Sequence, residues 1–430
     1  MGAGGLVLGA LLLPAGARAA EPPALTVSIA ASEHSCAIVS DGRVWCWGAN
    51  GNGQLGDGTM LDRHQPVEVV GLPGATVAVA AGDRSTCALS AAGAVTCWGY
   101  NEFGQLGIGT TTDTAVPTSV TGLASGVTAI SARGEHTCAV TDAGAVRCWG
   151  ANVNGQLGDG THVNSDVPTE VSGLAGRTVA ITVGGEHSCA LSEPGGVACW
   201  GWNKTGQLGD GTTVDRESPT PIEGLASGVR AIAGGGRHTC ALMEAGGARC
   251  WGYNELGQLG DGTRTDRATP VDVVGLPGGT TAISVGGNFT CALGSARGAV
   301  CWGLNSAGQL GNGATTDSAS AVQVSGLPSG IAEIACGYNH TCVIAADGGV
   351  RCWGLNDAGQ LGDASTTDRA TPVAVTAVGG TPLVAATKRG PEGPSAILFP
   401  IIGSVAALLV AGLLLLTARR LLRRRGAGAS

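Results

Sequence analysis

Residues 76–120 contain four short segments with extended patterning and no helix-favouring run. Thr76–Ala81 is apolar and β-branched, while Ser85–Ser90 and Ala94–Gly99 alternate between apolar and polar positions. Val116–Val120 is a fourth candidate strand, with Pro117 near its start, a placement that an edge strand permits. The whole pattern returns every 51 residues, seven times. Four short strands per unit, repeated at a fixed period, predict an all-β ring: a seven-bladed β-propeller of 51-residue repeats. Closing the ring hides most strand edges, which an open sheet of this size would leave exposed.

The period is set out most sharply by cysteine. Fourteen of the fifteen fall on two combs of spacing 51: Cys36, Cys87, Cys138, Cys189, Cys240, Cys291 and Cys342, and Cys46, Cys97, Cys148, Cys199, Cys250, Cys301 and Cys352. Each unit therefore carries one Cys-x9-Cys pair, with no insertion anywhere between units. The segment joining the second and third strands explains the pair. In the first unit it reads Val39-Ser40-Asp41-Gly42-Arg43, and a three-residue hairpin loop needs its last residue in the left-handed region, normally Gly. The matching positions are Gly42, Gly93, Gly144, Gly195, Gly246 and Gly348; the sixth unit departs, with Arg297 followed by Gly298. This loop makes Val39 and Arg43 the closing pair and sets Cys36 opposite Cys46 at a non-hydrogen-bonded site, where Cα atoms lie about 4.5 Å apart. That is disulfide range, so seven intra-blade disulfides are expected. Zinc is the rival reading, although its ligand pairs usually sit at C-x2-4-C; a third reading leaves all fourteen thiols reduced as space-filling residues. Cys336 stands apart. Its counterparts by spacing are Ala30, Ala81, Ala132, Val183, Gly234 and Val285, so it reads as a buried free thiol.

Composition narrows the function classes. Charged residues are only 13% of the chain and Gly is 75 of 430. The formal charge is −8, and five of the 24 basic residues crowd at Arg419–Arg425, so the repeats are more acidic than the whole. An acidic body repels phosphate backbones, which argues against nucleic acid as a partner.

Both ends carry membrane-type patterns. Leu6–Leu13 is apolar and is followed by Ala17-Arg18-Ala19, an A-x-A cleavage pattern, giving a signal peptide over 1–19. After the ring at 25–378, residues 379–395 form a linker with Pro382, Pro391 and Pro394. The uncharged stretch that follows predicts one C-terminal transmembrane helix at 396–418, and 419–430 form a basic cytoplasmic tail. The expected location is the cell membrane, with the propeller on the extracytoplasmic side. A signal peptide and anchor imply an oxidising compartment, consistent with disulfides.

After the second cysteine every unit continues alike; the fifth reads CWGYNELGQLGDGTRTDRATPVDVVGL from Cys250 to Leu276, preceded by HTCAL from His238. These strings resemble the repeats of the regulator of chromosome condensation family, in a secreted bacterial form, over about residues 25–378. The resemblance implies a seven-bladed propeller. The family's nuclear founder exchanges nucleotide on a small GTPase through a wedge inserted in the ring, and an invariant period of 51 leaves no room for one. A secreted bacterial member uses one face of the ring to bind an enzyme. Function is thus read as a protein-binding or surface-polymer-binding scaffold, with a structural envelope component as the alternative and nucleotide exchange a more distant one.

No residue pattern demands catalysis. Five histidines share one comb (His34, His136, His187, His238, His340), with Ser85 and Phe289 in its other places. A site that accepts Phe reads as a blade-stabilising hydrogen-bonder rather than a base. The tryptophans Trp47 to Trp353 read as inter-blade packing, and the asparagines Asn50 to Asn356 as loop caps. The acids of D-G-T-x-x-D/N, such as Asp57 with Asp62 and Asp159 with Asn164, read as turn hydrogen-bonders, with calcium as the competing reading. No phosphate loop or Ser-His-Asp set occurs outside the repeat, so the chain is read as no enzyme, without cofactor or metal. Variation inside the repeat is more informative. At two variable loop positions the large residues are Tyr100, Phe103, Trp202, Tyr253 and Leu256. In a chain with 3% aromatics these are candidate contact residues for an unidentified protein or surface polymer; packing against neighbouring blades is the competing reading.

Overall fold

The computed structural model describes residues 26–376, apart from Arg297. The expected signal peptide, the linker, the transmembrane helix and the basic tail lie outside the described residues. Among the described residues no helix is long and apolar enough to cross a membrane.

Twenty-eight strands form seven four-stranded antiparallel sheets, each built from four consecutive strands. The first strands of successive blades touch one another around the axis, the seventh against the first, so the ring closes. Among the described residues every blade uses four consecutive strands, and none completes the sheet of another blade.

In the second blade the strands are Thr76–Ala81, Ser85–Ser90, Val95–Gly99 and Thr114–Ser119. The first two coincide with the hydropathy pattern and the third starts one residue later. The fourth begins two residues before the expected Val116 and ends at Ser119, so Pro117 lies in its second half. The cause is a register shift: Gly99 pairs with Thr114 and Cys97 with Thr118, and the residues between them bulge on the outer strand. Pro117 thus occupies a bulge of an edge strand, where its missing N–H costs nothing.

The hairpin geometry is as the loop chemistry requires. Val39 N–H donates to Arg43 O at 3.0 Å, Gly42 N–H to Val39 O at 2.8 Å, and Gly42 has φ +83°. A Cβ there would sit 2.6 Å from the Ala75 side chain, so the turn excludes other residues on two counts. Cys36 lies opposite Cys46, and all seven pairs are disulfides with Cα atoms 4.0–4.1 Å apart. Each cystine is fully buried beside a tryptophan of the next blade; Cys138 and Cys148, for example, share a core with Leu157 and Trp200.

Cys336 is the buried free thiol. Burial pushes its pKa up to about 12, and its Sγ donates to Ser284 O at 3.4 Å. One equivalence needs correction. Cys336 pairs with Thr341 and Ala81 with Thr86, but in the first blade Ala31, not Ala30, pairs with the matching Ser35. The turn between the first two strands is one residue shorter in that blade, with Ser32 N–H reaching His34 O where elsewhere Gly82 N–H reaches Ser85 O. Spacing could not reveal this, because the deletion precedes the first landmark of the comb.

A candidate partner-binding face

The residues that look chemical in the sequence are spent on joining blades. Each tryptophan of the comb donates its Nε1–H to the backbone O of a Gln in the preceding blade at 2.9 Å, from Trp98 to Gln54 round to Trp47 to Gln360. The same carbonyl accepts a hydroxyl: Ser35, Thr86, Thr137, Ser188, Thr239, Thr290 and Thr341 each donate to a Gln O at 2.7–3.1 Å. Five of these hydroxyls also meet a histidine of the preceding blade at 2.6–2.9 Å. A hydroxyl has one proton, and here the carbonyl takes it. The histidine must therefore donate from Nε2, which leaves Nδ1 a bare lone pair. Nδ1 of His34, His136, His187 and His238 is buried and without a partner. Burial lowers all five histidine pKa values to about 3, so they are neutral. The histidines are hydrogen-bonders between blades. The Ser/Thr and Gln combs that complete the relay were equally periodic in the sequence but look like ordinary strand and loop residues.

The loops between third and fourth strands are built on the asparagine comb. Asn203 donates from Nδ2 to Thr212 O at 3.1 Å and Val214 O at 3.0 Å, and its Oδ1 accepts Leu208 N–H at 3.0 Å. Asp215 accepts Asn203 N–H at 2.8 Å. Asp210 accepts both donors of Thr212 and pairs with Arg216 at 2.7 Å. Partial burial pulls the Asp210 pKa upward, but these donors outweigh it and hold the carboxyl below its usual range. Asp57, Asp261 and Asp363 are held in the same way. The loop acids thus direct their lone pairs at protein donors. Among the described residues no group of three or more His, Cys, Asp or Glu is placed to hold a metal ion. A groove of about 630 Å³ between the third and fourth blades is lined by His162, Lys204, Val214 and Glu217. Its polar groups meet partners within the chain: His162 Nε2 lies 3.2 Å from Glu217, and Lys204 pairs with Asp215 at 2.9 Å.

These loops share one face of the ring with the turns between first and second strands. Tyr100 N–H donates to Arg84 O at 2.9 Å and Trp202 N–H to Glu186 O at 2.9 Å, which binds each loop to a turn. The five candidate contact residues all lie on this face and are half-buried. Tyr100 and Phe103 meet edge to face at 6.2 Å between ring centres, and the Arg84 guanidinium stands 5.8 Å from the Tyr100 ring. Tyr100 Oη donates to Glu102; that bond, reinforced by burial, raises its pKa to about 12. Arg237 stacks 5.1 Å from the Trp202 ring, and the Tyr253 hydroxyl donates to Glu255 at 2.8 Å. The face therefore holds two aromatic groups, one in blade two and one across blades four and five. The turn residues Arg84 and Arg237 were not singled out in the sequence. They are variable positions directly before the histidine comb, a signal as visible as that of the aromatics. So are Glu33, Glu135 and Glu186 at the same place. Burial, then repulsion from Asp83, raises the pKa of Glu33 and Glu135.

The profile of an RCC1-like domain matches residues 17–331, and that of the RCC1 repeat matches 331–360. The Ultraviolet-B receptor UVR8 of Arabidopsis thaliana is 34% identical over 367 residues, covering 84% of this chain and 83% of that protein. The E3 ubiquitin-protein ligase HERC2 of Homo sapiens is 30% identical over 351 residues, covering 79% of this chain but only 7% of that protein's length. Among solved structures, human WBSCR16 superposes with a TM-score of 0.71 at 25% identity, covering 78% of this chain and 94% of that one. Yeast RCC1 (Prp20), solved with Kap60, gives 0.70 at 20% identity, covering 87% and 92%, a likeness of fold alone.

Proposed function

The chain belongs to the family of RCC1-like domains, and from that membership we propose that it is a binding scaffold for a protein or surface polymer. The RCC1-like propeller supports a protein-binding role in general. The finer reading is that the scaffold is tethered by a helix at 396–418, behind a signal peptide at 1–19, with its ring outside the cytoplasm.

One observation carries the proposal. The interior is uniform around the ring, with the same cystine, tryptophan and Gln carbonyl in all seven blades. Large variable side chains gather on the loop-and-turn face, where Tyr100, Phe103, Trp202, Tyr253 and Leu256 stand among Arg84, Arg237 and the turn acids. A uniform frame carrying one individual face suits recognition better than turnover. The seven disulfides support an oxidising compartment, and with it the ring's placement outside the cytoplasm.

The test is surface crosslinking of the tagged full chain in intact cells, beside a Trp202→Ala/Tyr253→Ala double variant. A partner held by the parent and lost by the variant supports the reading; equal recovery with both removes the face from it. Protease added to intact spheroplasts should remove the ring, and a ring that survives until lysis contradicts the topology.

A further inference from the structure

The axis of the ring holds a charged group that no aspect of binding accounts for. Seven equivalent positions at the inner end of the first strands line the axis: Ser32, Gly82, Arg133, Gly184, Gly235, Gly286 and Gly337. Six are small; a Cβ on Gly184 would lie 2.1 Å from the His187 ring of its own blade and 2.8 Å from Gly235 O of the next. The seventh is arginine. Its side chain leaves blade three and crosses to the far side of the ring. Nη1 donates to Val285 O at 2.7 Å and Gly234 O at 3.3 Å, and Nη2 to Gly337 O at 3.4 Å. One guanidinium from the third blade thus joins carbonyls of the fifth, sixth and seventh.

The site is enclosed. Arg133 is 8% exposed. Beside it the turns form a belt of backbone hydrogen bonds: Gly185 N–H to Gly235 O, Gly236 N–H to Gly287 O, Gly287 N–H to Tyr338 O, and Tyr338 N–H to Ser32 O, all at 3.0–3.1 Å. Ser32 Oγ continues the belt to Asp83 at 3.0 Å. Among the described residues no carboxylate bonds the guanidinium directly. Desolvation lowers its pKa, and Asp83, Cys336 and Tyr338 act on it only through space. A buried cation without a bonded anion persists where oriented dipoles replace water, and three carbonyls converging from separate blades are such dipoles.

We propose that the carbonyls of Gly234, Val285 and Gly337 form a receptor for a planar guanidinium cation on the propeller axis, and that Arg133 is its tethered ligand, latching blade three to blades five to seven. The latch acts at ring closure. Among the described residues no strand is shared between the first and last blades, so closure there rests on side chains and turns, and a ligand held by three blades opposite its own resists their parting.

The receptor is tested by emptying it in the full chain. Arg133→Ala removes the ligand and leaves the carbonyls unpaired. It should lower Tm by about 5 °C, the scale of a lost buried charged contact in a large domain. Ethylguanidinium at millimolar concentration should raise the Tm of this variant in a saturable way and leave the parent unmoved. Ethylammonium, a point charge, and urea, planar but neutral, should do neither. Arg133→Met keeps the volume without donors and should stay as unstable as the alanine variant. The proposal is overturned if Arg133→Met matches the parent, if Arg133→Ala loses no stability, or if ethylguanidinium shifts parent and variant alike. Should Arg133→Ala fail to fold, refolding yield in ethylguanidinium against ethylammonium gives the same decision: recovery specific to guanidinium supports the receptor, and equal yields refute it.

Discussion

His238→Phe should make the protein less stable at pH 8 and more stable at pH 5. His238 donates to Thr290 at 2.9 Å, and its ring lies against Gly235, where a Cβ would come within 2.7 Å of it. Blade six already carries the substitution: Phe289 lies against Gly286 in the same cradle. The exchange therefore fits, and at pH 8 it costs one buried hydrogen bond, about 1 kcal/mol. Acid reverses the order. Burial holds the native His238 pKa at about 3, whereas the unfolded chain takes up a proton near 6.5. The unfolded state binds more protons over that interval, so the stability present above about pH 6.5 is lost as pH falls towards 3. At pH 5 the loss is 1.5 pH units, or about 2 kcal/mol per histidine. The phenylalanine variant escapes it at one site. Its stability should cross that of the parent near pH 6, where the linkage loss reaches about 1 kcal/mol. Five histidines share the low pKa, so the parent itself should lose on the order of 10 kcal/mol between pH 8 and pH 5. Guanidinium chloride unfolding of the full chain, disulfides intact, followed by tryptophan fluorescence at half-unit pH steps, measures both curves. Parallel curves would show that His238 titrates normally in the folded ring, and the neutral-relay argument would fail.

Three further outcomes follow from the same geometry. Trp202→Ala or Tyr253→Ala should cost about 2 kcal/mol of partner affinity with little change in Tm; a large loss of Tm with unaltered affinity per folded molecule would assign both side chains to the blades. Non-reducing digestion should recover seven disulfides, with Cys336 labelled only after unfolding, and removing one pair, Cys189→Ser with Cys199→Ser, should cost about 2–3 kcal/mol; fourteen reactive thiols in the native protein would contradict this. The outer strands carry Pro66, Pro117, Pro168, Pro219, Pro270 and Pro372 at one position, but blade six has Ala321 in an uncharged strand, Ser318–Gln323. Ala321→Pro should leave stability unchanged or raised by up to about 1 kcal/mol and reduce self-association at high concentration by sedimentation. A clear destabilisation would mean that the Ala321 N–H is bonded within the fold.

The sequence by itself determined the repeating frame of strands, hairpins and cystines. The period of 51, the turn glycine at Gly42 and the register it imposes put Cys36 opposite Cys46 before any coordinates, because a hairpin's loop length fixes its pairing locally. The tryptophan, histidine and asparagine combs were legible as structural for the same reason: a residue needed seven times serves the frame. The aromatics of the loop face were visible as departures from the repeat, but their half-burial and their Arg84 and Arg237 neighbours were not. Those contacts join a loop to a turn of the same blade or the next, and spacing along the chain carries no such information. Tertiary structure alone decided the hydrogen-bond relay from histidine to hydroxyl to Gln carbonyl, whose three members come from two blades. It also decided the shorter turn of the first blade and the course of Arg133. In the sequence Arg133 is one arginine at the end of a strand. Only closure of the ring brings Gly234, Val285 and Gly337 to within reach of it, since they lie 101 to 204 residues further along the chain.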